Sequence, residues 1–343
     1  MTDAALSPDD FRRWQDASRM IDTAQVVFIV GPPKSGTTWL AASLEGHPDA
    51  AVCHESHFAN ELLPRLRESI RHPAGRRAEF GSLPEGQPAE MDGLSIERAL
   101  FDRILLRSAA ARRGETGRPV RAFVEKTPVH ARHIDDLAAI YPGARFICCT
   151  RDPRDCAVSA WSHFGREGWV AEQSIEEYAA RYIRDVWAPC VRDARRSARS
   201  LPPTRYTEID YADHKADPRG AISRLIRFCG LDDSKDAVER CLGAGDFRTM
   251  SGGRSPGDES RDSFYRKGVV GDWSNHFSPE VGERLLEVAR ESLGEVGQVD
   301  WLHECLWRAA SARLREAGAR RIAVFGAGRH TAEMLRLGWP WDE

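Results

Sequence analysis

The stretch VVFIVGPPKSGTTWL, Val26 to Leu40, limits the folds open to this chain more than any other. Gln25 to Val30 is a short apolar, β-branched run, which reads as a buried strand. It ends at Gly31, and Thr37 to Glu45 then reads as a helix stopped by Gly46 and Pro48. A buried strand that passes through a short glycine loop into a helix belongs in an α/β sheet with covered faces.

The rest of the chain repeats the alternation. Pro119 to Thr127, Ala144 to Thr150 and Pro203 to Tyr211 read as further strands. Helical stretches lie at Val129 to Tyr141, Pro153 to Arg166 and Ile175 to Ala198, the last with a kink expected at Pro189. The pattern predicts a three-layer α/β fold, P-loop-like, with a central parallel sheet flanked by helices. In such sheets ligands bind beyond the carboxyl ends of the strands. Gly31 to Thr38, Glu125 to Pro128 and Thr150 to Arg154 all sit at such ends. Arg71 to Gly93 and Ser251 to Phe264 are rich in Gly, Pro and charge and read as loops, the second expected to be mobile.

The 343 residues suit one large α/β domain or two small ones. We expect a main domain over residues 1–300, with its core at 25–290, and an appendage over 301–343. In the appendage, Arg320 to Leu335 reads as a strand, a Gly-x-Gly turn and a helix, similar to the opening of a dinucleotide-binding fold. Too little chain follows for the roughly 30 residues or more of a complete βαβ unit, so it is expected to be a packing element or a stub.

With a net charge of −3 nothing suggests a general nucleic-acid binder, so any anion site must come from local charge. None of the eight cysteines forms a Cys-x-x-Cys pair, which argues against a zinc site, and no metal is expected. Adjacent Cys148 and Cys149 in an apolar run suit buried, reduced thiols. The N-terminus has no apolar signal core, and no run approaches the roughly 20 apolar residues of a membrane span. A cytoplasmic protein is therefore expected.

In the loop, Gly31 and Gly36 allow the backbone N–H groups to turn inward on an anion. The helix start adds its positive end, and Ser35, Thr37 and Thr38 add hydroxyl donors. A phosphate-like group is the expected ligand, with an ordinary Gly-Pro turn as the competing reading. The lysine is displaced, however. A P-loop of the nucleotide triphosphatase kind places it directly after the second glycine. Here Thr37 holds that position and the only nearby lysine is Lys34, between the glycines.

PKSGTTW, Pro33 to Trp39, resembles the 5′-phosphosulfate loop of sulfotransferases that use 3′-phosphoadenylyl sulfate (PAPS). The resemblance implies that Lys34 reaches the bridging oxygen between phosphate and sulfate. Two more segments are similar to the same family. Arg151 and Ser159 have the spacing of its 3′-phosphate site, and Arg offers a bidentate fork for phosphate. Arg266, Lys267 and Gly268 open RKGVVGDW, which is similar to the family's RKG-x-x-GDW clasp on that phosphate. Trp39, Phe247 and Tyr211 look like the family's adenine contacts, against the competing reading of core aromatics.

The proton acceptor is read from CHESHFAN, Cys53 to Asn60, which resembles the Glu-x-His-Phe segment of the glycan-sulfating branch. That implies Glu55 as base, and EKTP, Glu125 to Pro128, implies Lys126 as its supporting cation. The match departs at Ala59 and Asn60, where that branch more often has Phe and Asp. His54, His57 and His130 stay open as alternative bases.

The resemblance spans about Gln25 to Arg290. It implies transfer of a sulfuryl group from PAPS to a hydroxyl or amine of a small-molecule or glycan acceptor, releasing adenosine 3′,5′-bisphosphate (PAP). Arg71 to Gly93 is the loop expected to shape the acceptor pocket. Two other readings stand beside it: a kinase-like enzyme that needs ATP and magnesium, and a PAP-binding module without a working base. The family's dimer motif is not visible after Gly271, and the oligomeric state is not legible.

Overall fold

The computed structural model describes residues 19–69, 93–166, 173–260 and 263–294. Within them the order is β1 (Gln25–Val30), α1 (Thr37–Glu45), β2 (Ala50–His54), α2 (Gly93–Thr116), β3 (Ala122–Lys126), α3 (Ile134–Ile140) and β4 (Arg145–Thr150). There follow α4 (Pro153–Arg166), α5 (Ile175–Tyr182), α6 (Ala188–Ala198), β5 (Tyr206–Asp210), α7 (Tyr211–Ala216), α8 (Pro218–Phe228), α9 (Lys235–Ala244), α10 (Phe247–Ser251) and α11 (Pro279–Leu293). A π-turn, Phe58–Leu62, continues into helix over 63–69.

The five strands form one sheet in the order β2-β3-β1-β4-β5, every pairing parallel. The chain crosses from β1 to the edge strand β2, returns to β3, and then adds β4 and β5 on the other side of β1, so the loop after β1 sits where the winding reverses. That is the crevice in which such sheets bind ligands. Gly31 is required there: its φ is +140°, and a Cβ would lie 2.3 Å from the carbonyl oxygen of Cys149 on β4.

Side-chain alternation splits the sheet into two cores. Val26, Phe28, Phe123 and Phe146 pack under α2 and α3 with Phe101, Leu105 and Leu137. Val27, Ile29, Val124 and Ile147 face Leu40 and Leu44 of α1 and Ile222, Leu225 and Ile226 of α8. A third core joins α4, α5, α6 and α11 around Trp187.

Several expectations shift. Ala50–His54 is a strand that sequence reasoning left out; its AAVCH run is short and weakly β-forming, and only pairing with β3 makes it one. Val129 to Tyr141 is divided into a 3-10 turn, Pro128–Arg132, and α3. The Ile175 to Ala198 helix is interrupted before Pro189, not at it, by a π-turn over Ile183–Trp187. The cause is the missing proline N–H. Pro189 cannot bond to residue 185, and the Ala188 N–H bonds five residues back to Ile183. The expected strand at Pro203 to Tyr211 begins only at Tyr206, and Tyr211 opens α7. Residues 70–92, 261–262 and 301–343, which hold most of the expected acceptor loop, part of the expected mobile loop and the Gly-x-Gly appendage, lie outside the described residues. Among the described residues no helix is long and apolar enough to cross a membrane.

Candidate active site

A cavity of about 430 Å³ opens over the carboxyl ends of β1, β3 and β4. Of the residues singled out from sequence, it is lined by Lys34, Gly36, Thr37, Thr38, Trp39, Glu55, Arg151, Ser159, Tyr211, Phe247, Arg266, Lys267 and Gly268. Ser35 and Lys126 lie just beneath, 0% and 2% exposed. Segments more than 230 positions apart in the chain, from Lys34 to Gly268, thus meet at one place.

Backbone strain concentrates here. Lys34, Glu55 and His57 are the only non-glycine residues with positive φ among the described residues, at 71°, 45° and 51°, and all three line the cavity. Such conformations cost about 1–3 kcal/mol each and persist only where surrounding contacts enforce them. Around Lys34 the enforcement is visible: Arg151 Nη1 donates to its carbonyl at 3.3 Å, and the Tyr182 hydroxyl donates to that of Pro33.

Arg151 is also held by Val269 O, which accepts from Nη2 at 2.9 Å, and by Asp155 at 3.5 Å, while its guanidinium stacks 4.5 Å from the Tyr211 ring centre. Burial works against its charge, but Asp155 and its other neighbours more than offset that and hold its pKa above the ordinary value. Asp155 in turn accepts from the backbone N–H groups of Gly271 and Trp273 at 2.8 and 3.0 Å. It thereby fastens the segment carrying Arg266 and Lys267 to α4. Both cations contact Asp272, whose side chain is 1% exposed; the Lys267 distance is 2.6 Å. Burial tends to raise the Asp272 pKa, but hydrogen bonds from Lys267, Arg266 and Asn275 hold it well below the usual carboxylate range. Gly268 has φ +68°, and a Cβ would lie 2.5 Å from the Phe247 ring.

Glu55 lines the same cavity. Lys126 Nζ donates to its Oε1 at 2.5 Å and His57 Nε2 lies 3.7 Å from Oε2. Half-burial tends to raise its pKa, but Lys126, His57 and Lys34 outweigh that and lower it. The other histidines separate clearly. His54 pairs with Glu45 at 2.7 Å and is not among the cavity residues. His130 is fully buried: its Nε2 accepts from the Ala59 N–H at 3.0 Å, so its proton is on Nδ1 and is donated to Glu125 Oε2 at 3.1 Å. Neither is placed to take a proton from a ligand in the cavity.

Trp39 turns its Nε1 to the carbonyl of Gly245 at 2.5 Å while lining the cavity beside Tyr211 and Phe247. The cavity also includes His163, Phe164, Lys215, Met250, Phe264 and Tyr265, which sequence reasoning missed. Lys215 had a local signal: it lies one helical turn after Tyr211 on α7. Phe264 had none; its ring centre lies 4.2 Å from Lys34 Nζ through a contact between distant segments. Among the described residues there is no cluster of three His, Cys, Asp or Glu able to hold a metal ion.

The sequence profile of the Sulfotransferase family matches residues 26–235. The chain belongs to the sulfotransferase family. Among individual relatives, this chain is 27% identical over 162 residues to human sulfotransferase 1C2, covering 43% of this chain and 54% of that protein. It is 24% identical over 205 residues to cytosolic sulfotransferase 3 of Arabidopsis thaliana, covering 54% of this chain and 63% of that one. The chain thus spans a little over half the length of these relatives. The crystal structure of mouse sulfotransferase SULT7A1 complexed with PAP is 19% identical, with a TM-score of 0.49, covering 87% of this chain and 94% of that one.

Proposed function

We propose that this chain transfers a sulfuryl group from PAPS to a hydroxyl or amine of a small-molecule or glycan acceptor, with Lys34 and Glu55 as the catalytic residues. The observation that carries the proposal is the meeting, in one cavity, of the Gly31–Thr38 loop, the cations Arg151, Arg266 and Lys267, and a lysine-paired carboxylate, Glu55. Three buried donors support a ligand with several anionic oxygens. Ser35 Oγ, Arg151 Nε and Arg266 Nε have no hydrogen-bond partner among the described residues.

PAPS supplies an activated sulfuryl group on a phosphate leaving group and a second, 3′-phosphate handle. The loop N–H groups and the hydroxyls of Thr37 and Thr38 are suited to the 5′-phosphosulfate. Arg151, Ser159, Arg266, Lys267 and the tightly approached Gly268 are suited to the 3′-phosphate. Trp39, Tyr211 and Phe247 offer faces for adenine. In the transfer, Glu55 takes the acceptor proton as the new bond from acceptor oxygen or nitrogen to sulfur forms. The bond from sulfur to the bridging oxygen breaks, its electron pair stays on the phosphate, and Lys34 stabilises that charge. Lys126 keeps Glu55 ionised and oriented. Beyond these groups the lining includes Pro128, Val129, Phe164 and Phe264, which supports an acceptor with an apolar body.

Calorimetry without metal, comparing PAP, AMP and ATP, tests the donor site. PAP should bind at least tenfold more tightly than AMP, a difference of about 1.4 kcal/mol or more. Arg151→Ala should erase that preference. Equal affinity for PAP and AMP, or ATP binding that depends on magnesium, would overturn the proposal in favour of kinase-like chemistry. Tight PAP binding with no sulfation of any hydroxyl or amine in an acceptor panel would leave the binding-module reading.

A further inference from the structure

Glu125 has no part in the chemistry above, yet it is 0% exposed, and every hydrogen bond its carboxylate accepts leads to the segment that carries Glu55. We infer that Glu125 is the positioning residue for the proton-accepting segment: one buried carboxylate that, directly or through a single relay, supplies the acceptors for four successive backbone N–H groups, those of residues 56 to 59. The inference rests on the reading of Glu55 as the base.

The bonding follows from donor and acceptor counts. The Ser56 N–H donates directly to Glu125 Oε1 at 3.2 Å. Three side chains donate their only available hydrogen to the same carboxylate: Ser56 Oγ at 2.7 Å, Thr127 Oγ1 at 2.5 Å and His130 Nδ1 at 3.1 Å. Each must then present a lone pair on its other side, and each does so to the next N–H in the segment. Thr127 Oγ1 accepts from His57 at 3.4 Å, Ser56 Oγ from Phe58 at 3.3 Å and His130 Nε2 from Ala59 at 3.0 Å.

A carboxylate is the only side chain that can hold all three relays in this sense, because it accepts and never donates when ionised. Burial works against that ionised form, but His130, Thr127 and Ser56 outweigh it and keep the Glu125 pKa lowered. The N–H groups so arranged open the helical turn at Phe58 and lie in a backbone bent through positive φ at Glu55 and His57. Meanwhile β3 sends its next residue to the opposite face. Lys126 bonds the Glu55 carboxyl, and its carbonyl accepts the Glu55 N–H at 2.7 Å. Glu55 is thus fixed by its side chain from one face of the sheet and by the following peptides from the other.

The test is Glu125→Gln, whose amide must point a donor at one of three donors, compared with Glu55→Gln. For Glu125→Gln, displacement of the base by an ångström should lower kcat about 100-fold, while the PAP dissociation constant stays within about twofold. The acid limb of kcat/KM should also move to higher pH. The charged and titratable groups facing Glu55 are Lys126, His57 and Lys34; those facing Glu125 are His130 and Cys53. A loosened segment carries Glu55 away from Lys126, whereas loss of folded protein would lower the rate without moving the limb. If Glu55→Gln is as active as the parent, the reading of Glu55 fails, whatever Glu125→Gln does. If Glu55→Gln is inactive and Glu125→Gln keeps the parent kcat and acid limb, the positioning role fails. Should Glu125→Gln not accumulate as folded protein, Thr127→Val against Thr127→Ser decides: valine should lower kcat and shift the limb and serine restore both, while equal rates for the two would overturn the inference.

Discussion

Gly268 offers a quantitative test of how the 266–268 segment is built against the cavity. In Gly268→Ala the new Cβ meets two costs. The φ of +68° lies in the left-handed region, which costs an L-residue about 1–2 kcal/mol. The Cβ would also sit 2.5 Å from Cδ2 and Cε2 of Phe247, so either the ring or the 266–270 backbone must move by about 1 Å to reach an ordinary contact. Forcing a methyl into such a contact costs about 1–3 kcal/mol more. The urea-derived unfolding free energy should therefore fall by about 2–5 kcal/mol. In a Phe247→Ala background the ring is gone, and the same substitution should cost only the conformational part, about 1–2 kcal/mol. Function should follow geometry. Arg266 and Lys267 precede the moved residue, and loosening one charge-assisted contact, at about 1.5–3 kcal/mol, predicts at least tenfold weaker PAP binding by calorimetry. Equal stability costs in both backgrounds, or PAP affinity within twofold of the parent, would refute the claim that Gly268 is selected by close approach to Phe247.

Two further predictions concern the charged pairs. Lys126→Met keeps a long side chain but removes the cation that lowers the Glu55 pKa, so that pKa should rise and the acid limb of kcat/KM should move to higher pH; an unmoved limb would mean that Glu55 is not the titrating base. Asp272 has a folded-state pKa lowered relative to the unfolded chain, so its stabilisation is present above the unfolded value of about 3.9 and is lost as pH falls through the folded value. The stability gap between the parent and Asp272→Asn in urea titrations should thus be constant from neutral pH down to about 4 and shrink below it; a gap that widened on acidification would contradict the Lys267 and Arg266 pairing.

The glycine loop and the basic residues of the cavity were legible because their signals are local. Glycine spacing, hydroxyls and a helix start encode the Gly31–Thr38 loop within a few residues, and Arg151, Arg266 and Lys267 each sit in short recognisable runs. The β2 strand was not legible, because AAVCH has little intrinsic strand preference and becomes a strand only against β3. Glu125 was noticed only as the neighbour of Lys126. Its signal was a carboxylate in the apolar strand AFVEK, a residue that can be buried only if its oxygens are satisfied, but which groups satisfy them is not written nearby. His130 remained a candidate base on sequence because its two engaged nitrogens follow from contacts with residues 59 and 125, one of them 71 positions away.

By itself, then, the sequence determined that the chain builds a parallel α/β sheet and that a glycine- and hydroxyl-rich loop leads from its first strand into a helix, since period, propensity and glycine placement act over a few residues. Only the tertiary structure decided that Arg151 and the 266–268 segment reach that loop, that Lys34, Glu55 and His57 are held in strained backbone around one cavity, and that Glu125 orders the peptides beside Glu55. The reason is physical. Those arrangements are hydrogen bonds and ion pairs between segments tens to hundreds of residues apart, and they exist only once strand order has brought the carboxyl ends of β1, β3 and β4 together.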